Sequence, residues 1–214
     1  MDNLTIQILS VCTAIIIPLL FVAVVIKNKD SRSIILYFCW GTLAGFFSYL
    51  GNEYLFEMHE QTERVSIFIA PIVEEFFKCL PLLLFLSRKR HKEIEISIIY
   101  CALAVGVAFS IQETIYYFSM TMGTTSDFIT LIVRTLTTCL MHGMTTGIFG
   151  AGLFIMQKQR HILMPTIFGL LTFSTGIHAI FNMLLPTNAA IIAMLIPITL
   201  YIMGLIFMSK YSDQ

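Results

Sequence analysis

The sequence predicts an all-α, polytopic membrane bundle, and three observations carry that prediction. Charged residues make up only 12% of the 214 positions and hydrophobic residues 57%, whereas a soluble domain of this size carries about 25% charged residues. Mean hydropathy is +0.84. The charge deficit spreads along the whole chain in long apolar runs, so it does not mark a single buried element. Helices are the geometry that satisfies every backbone group inside lipid without a partner segment, and the runs lack the short alternation of an outer-membrane barrel.

A spanning helix needs roughly 20 mainly apolar residues. About seven runs qualify, near 5–26, 34–52, 66–86, 96–119, 129–156, 162–184 and 189–208. The first is expected to stay in the membrane as a helix. Asp2 stands where a signal peptide would be basic, and the charged stop KNKDSR follows. The fifth run is longer than a straight span requires, which predicts tilt or extension beyond the hydrocarbon. Residues 1–214 read as one integral membrane domain, with a solvated acidic loop, NEYLFEMHEQTER, as its longest extramembrane stretch.

Basic residues set the orientation. Lys27, Lys29, Arg32, Arg88, Lys89, Arg90, Lys92, Lys158, Arg160 and Lys210 fall in alternate loops and the C-terminus, ten of the thirteen basic residues in the chain. The opposite side carries Glu53, Glu57, Glu60, Glu63 and Asp127. The expectation is N-terminus out and C-terminus in. All five cysteines lie within predicted spans without CxxC spacing, so they read as apolar packing residues.

The polar residues inside the spans are the informative ones, because each ionisable group at a helix centre costs about 2.5 kcal/mol or more. The third span holds Glu74, Glu75 and Lys78; the fourth holds Gln112 and Glu113. The fifth holds Arg134 and His142, and the sixth His178 and Asn182. The helices near 66–184 thus read as builders of one polar site, with those near 5–52 and 189–208 as scaffold. Placing the span midpoints near 76, 108, 142 and 173 puts Glu75 and His142 at mid-depth. Glu113 and His178 then lie about five residues outward, roughly 7–8 Å. Four helices therefore present polar groups in one slab.

Spacing shows which groups cooperate. Lys78 is i,i+4 from Glu74 and i,i+3 from Glu75, so it can reach either carboxylate. His178 and Asn182 share a face, as do Phe109 and Glu113. Two adjacent carboxylates in low dielectric do not both ionise freely unless a cation offsets them. Such a set suits proton transfer from water, with histidine and asparagine as oxyanion donors. Alternatively, glutamate and histidine from several helices could hold zinc, which activates water directly. Either chemistry hydrolyses a carbonyl compound, and in a membrane the simplest such substrate is a peptide. A proton-coupled transporter would use the same carboxylates as a relay but calls for inverted repeats with matching helix breaks. Pro71 and Pro81 flank the acidic pair, and no other span shows a matching pair. A non-catalytic scaffold is the third reading, drawn from the small-residue run Gly143, Gly147, Gly150 and Gly152.

EEFFK (Glu74 to Lys78), FSIQE (Phe109 to Glu113), His142 and HAIFN (His178 to Asn182) together resemble the motif set of the PrsW family of intramembrane proteases. That family is distantly similar to the CAAX prenyl proteases and bacteriocin-processing relatives, whose pattern is EExxxR, FxxxH, HxxxN. Here the basic residue comes one position earlier as Lys78, and Glu113 replaces the FxxxH histidine. Both departures match the PrsW branch. The resemblance implies site-1-type cleavage of a membrane-anchored, anti-sigma-factor-like single-pass protein near the outer face of a bacterial cell (inner) membrane. Its implied partners are that substrate and the lipid bilayer, with no nucleic acid. Carried over, Glu74 or Glu75 is the general base and Lys78 sets their ionisation. Glu113 and His142 are further acid–base groups or ligands, and His178 and Asn182 bind the oxyanion. If zinc is the cofactor, its candidate ligands are Glu75, Glu113, His142 and His178. Metal-free and zinc-dependent hydrolysis both fit the residues.

Overall fold

The computed structural model describes residues 12, 15–16, 28–58, 64–88, 97–121, 127–156 and 160–211. All regular structure among them is helical. The first predicted span, apart from three residues, lies outside the described residues, as do Lys27, Lys89, Arg90, Lys92, Lys158 and the side chain of Arg134.

Among the described residues six long helices follow one another: α1 (Lys29–Met58), α2 (Ala70–Arg88), α3 (Ser97–Thr121), α4 (Asp127–Met156), α5 (Leu163–Leu184) and α6 (Ala190–Tyr211). Asn28 caps α1, its Oδ1 accepting the Ser31 amide at 2.9 Å. A π-helical turn, Val65–Ile69, leads into α2, and a 3-10 turn, Arg160–Ile162, leads into α5. Five of the helices among the described residues (α1, α3, α4, α5 and α6) are long and apolar enough to cross a membrane. The protein is a multi-pass membrane protein. The third predicted span coincides with the π-turn and α2, which falls short of that apolarity because Glu74, Glu75 and Lys78 share 19 residues.

The prolines of α2 explain its neighbours. Pro81 lacks the N–H that an unbroken helix would donate to the Phe77 carbonyl, and the indole Nε1 of Trp40 on α1 donates there instead, at 3.0 Å. At the other end the Ala70 amide bonds the Val65 carbonyl, a π-type step. Pro71 cannot continue that step onto Ser66, whose carbonyl accepts Asn182 Nδ2 from α5 at 3.4 Å. Both flanks of the acidic motif are thus tied to other helices by side-chain donors.

Helix α3 packs along α1 on one side and α4 on the other. Glycines permit the approach: a Cβ at Gly41 would strike the Val105 carbonyl, and one at Gly106 would strike the His142 carbonyl. Only hydrogen fits there, which brings the α3 and α4 backbones together at the level of His142. Gly147, Gly150 and Gly152 face Leu103, Ala102 and Leu170 in the same way, so the small-residue run is internal packing. One end of α2, α3 and α4 closes around Cys79, Leu82, Ile99, Ala102, Phe149 and Leu153. A smaller cluster of Met141, Phe181 and Ala193 joins α4, α5 and α6. The five cysteines are free, and all but Cys139 are buried. Outward faces of α5 and α6 expose Met164, Phe168, Ile191 and Ile206, as surfaces against lipid do.

Candidate active site

Above the apolar end, α2, α3, α4 and α5 bring the predicted polar residues into one cluster. Glu75, Lys78, His142 and His178 are essentially inaccessible. Lys78 Nζ donates to Glu75 Oε1 at 2.6 Å and to His142 Nδ1 at 2.9 Å, and it sits 4.8 Å over the Phe109 ring. An ammonium has only donors, so His142 Nδ1 accepts and the ring proton lies on Nε2. That Nε2 donates to Glu113 Oε2 in a short hydrogen bond. One lysine therefore fixes a carboxylate and a histidine tautomer together. Of the two carboxylates its spacing allowed, Lys78 bonds Glu75.

His178 is oriented from the other side. Its Nδ1 donates to Glu75 Oε1 at 3.0 Å, which leaves Nε2 facing Glu74 Oε2 at 3.7 Å. Thr145 donates to Glu75 Oε1 as well, at 3.2 Å. The His142 and His178 rings meet edge-on at 4.8 Å, and Phe109 packs on His142 at 4.9 Å. Ser174 holds the Thr145 carbonyl at 3.1 Å, tying α5 to α4 beside the cluster. Glu75 thus lies behind the histidines as an orienting group, a partner of the kind that metal-binding histidines use on their second nitrogen.

Glu74 stands between this cluster and a cavity of ≈ 290 Å³ whose lining includes Glu74, Phe109, Glu113 and Asn182. Its Oε1 accepts Asn52 Nδ2 at 3.1 Å. Its Oε2 is buried and accepts no hydrogen bond among the described residues. Asn52 belongs to α1, a helix the sequence assigns to the scaffold because it carries no ionisable group in the apolar run. The legible signal was an i,i+4 polar pair, Ser48 and Asn52, near the end of an otherwise apolar helix.

Ligand atoms of Glu74, His142 and His178 lie within 4.8 Å of one another. The metal-capable group contains Glu74, His142 and His178 and leaves out Glu75 and Glu113, which the sequence also suggested. Glu75 Oε1 holds Lys78, Thr145 and His178, while its Oε2, like Glu74 Oε2, has no hydrogen-bond partner among the described residues. The donor chemistry fits a divalent metal. Glu74 Oε2 lacks a hydrogen-bond partner, and His178 Nε2 is the ring nitrogen left over by Glu75. His142 would join through Nε2 as its neutral Nδ1–H tautomer, with Lys78 turned away from Nδ1 and Nε2 freed from Glu113. Two nitrogens and one carboxylate are the ligand types of hydrolytic zinc sites.

Comparison with known proteins agrees with this geometry. The family model described as PrsW family intramembrane metalloprotease matches residues 29–209, which takes in all six helices from the start of α1 to near the end of α6. No curated protein and no solved structure gives a match. The match favours a hydrolase over a proton-coupled carrier or a silent scaffold. With its polar cluster set in a bundle of membrane helices, the chain belongs to the PrsW family of intramembrane metalloproteases.

Proposed function

We propose that the protein cleaves a peptide bond of a single-pass, anti-sigma-factor-like membrane protein near the outer face of a bacterial cell membrane. In this reading the chain forms seven spans with its N-terminus out and C-terminus in. The observation that carries the reading is the convergence of Glu74, His142 and His178 beside a cavity that Glu74 and Glu113 line. Those three residues would hold a divalent metal, zinc by ligand type, which when bound supplies Lewis-acid polarisation and acidified water.

The residues then divide the work. Glu113 lines the cavity and its side chain keeps 16% of its surface, so it can meet both water and substrate. Its Oε2 takes a proton from the attacking water and returns one to the leaving amine nitrogen as the C–N bond breaks. In the structure the His142 Nε2–H holds that carboxylate, a bond His142 would give up on binding a metal through Nε2. Glu75 and Lys78 orient the two histidines from inside the protein. Asn182 holds the Ser66 carbonyl at the cavity rim, which positions the π-turn beside the substrate.

The test is cleavage of a reconstituted single-pass substrate by purified protein. Chelation should stop it and zinc should restore it. Glu113→Gln should lower the rate by about a hundredfold or more with the protein still folded. Cleavage that persists unchanged in Glu113→Gln removes its acid–base role, and cleavage indifferent to chelation removes the metal.

A further inference from the structure

Three side-chain amides line the cavity, and the nitrogen of each is already engaged within the protein. Asn52 Nδ2 donates to Glu74 Oε1 at 3.1 Å, Gln112 Nε2 to Cys12 Sγ at 3.2 Å and Asn182 Nδ2 to the Ser66 carbonyl at 3.4 Å. Chemistry fixes these orientations. A carboxylate or a carbonyl only accepts, and the Cys12 thiol lies 3.6 Å from the Thr42 carbonyl as its donor, leaving the sulfur to accept from Gln112. Each amide nitrogen keeps a second N–H, but the amide oxygens of Asn52 and Gln112 are the atoms with no bond at all. Both are buried and without hydrogen-bond partners among the described residues, as is the hydroxyl of Ser48, which lines the same cavity.

Gln112 is 3% exposed and Ser48 is inaccessible, so bulk water does not satisfy them. A buried acceptor left unmatched is costly, and two amide oxygens at one cavity wall, beside a hydroxyl that can also accept, invite a ligand rich in N–H donors. Gly45 supports the arrangement, since a Cβ there would come within 2.6 Å of Gln112 Cβ. The side chain is seated by an absence of bulk on α1.

We propose that Asn52, Gln112 and Ser48 form a subsite that accepts backbone N–H groups of an unwound segment of the substrate polypeptide, next to the scissile bond. The inference rests on the protease reading and names what the cavity recognises. A peptide bond inside a helix is shielded, and unwinding it to reach Glu74 frees N–H groups that lipid cannot satisfy. The acceptors on α1 and α3 meet that need. Substrate choice then follows from how readily a segment unwinds, with little dependence on side-chain identity.

Donors could also come from a lysine or arginine side chain, and the experiment separates the two sources. The probe is a dye-labelled synthetic single-pass peptide, leucine-rich, with a Gly-Asn-Gly break near one end and flanking lysines. One series places an ester for each amide of the break in turn, deleting one N–H at a time; another version replaces the lysines by norleucine. Binding is read by anisotropy on full-length Glu113→Gln protein in detergent. At one or two positions the ester should weaken binding about tenfold, and the norleucine peptide should bind like the parent. Gln112→Met should weaken the parent peptide about as much and remove the amide–ester difference at one position. Because that variant could fold poorly, the ester series alone decides. Equal affinity across the series, loss confined to the norleucine peptide, or no binding overturns the proposal. Binding with amide–ester discrimination but no wild-type cleavage would leave the subsite standing and remove the protease reading; cleavage without discrimination would do the reverse.

Discussion

Helices α2, α3 and α4 each carry two chemistries within a few turns. Towards one end they present Glu75, Lys78, Phe109 and His142 to each other; towards the other they close on Cys79, Leu82, Ala102, Phe149 and Leu153. The change is abrupt: Lys78 and Cys79 are adjacent, and both are inaccessible. The apolar end is built from buried aliphatic, aromatic and cysteine side chains packed on one another. The polar end is held by directed bonds, and its single ammonium serves a carboxylate, a histidine and an aromatic face at once. The difference teaches where water can arrive. The apolar end is closed, whereas Glu74 and Glu113 line a cavity walled by α1, α2, α3 and Asn182 of α5.

Substitutions that act on one end and spare the other sharpen this contrast. Lys78→Met should be the most severe, because it strands Glu75 in the interior. A loss of about 3–5 kcal/mol is expected, seen as early thermal unfolding in detergent, together with lost cleavage. His178→Ala should lower kcat/KM by roughly a thousandfold, while thermal unfolding moves far less than in Lys78→Met. A collapse of stability in this variant would erase the distinction between the two ends. Phe149→Ala should give the converse phenotype. About 3 kcal/mol of stability goes with the cavity it leaves, yet the folded fraction keeps its kcat/KM; equal losses of rate would show that the apolar end is part of the chemistry. Trp40→Phe should be mildest, at about 1 kcal/mol for one hydrogen bond, measurable as a small shift in unfolding midpoint.

Much of the site was legible because lipid makes charge conspicuous. Glu74, Glu75, Lys78, Glu113, His142 and His178 stood out as ionisable groups in apolar runs, and a rise of 1.5 Å per residue was enough to bring them to a common depth. Division of labour between the two glutamates was not legible. Glu74 and Glu75 differ by one step of 100° around α2, and only the packed neighbours decide that one faces His178 Nδ1 and the other the cavity. Asn52 and Trp40 were hidden for a different reason. An amide at a span end and an amphipathic indole both carry little transfer penalty, so they look ordinary until a partner is known. The fold class followed from composition, and the contact between α3 and α4 at Gly106 depended on geometry that a one-dimensional pattern does not encode.

The bond between Trp40 and the Phe77 carbonyl has a practical consequence. The chain contains one tryptophan, and its indole is anchored to the residue preceding Lys78. Intrinsic fluorescence of the unlabelled protein therefore originates from a single chromophore hydrogen-bonded to the helix that carries the acidic pair. Emission wavelength and quenching become a direct optical readout of whether that helix shifts when metal or peptide is added.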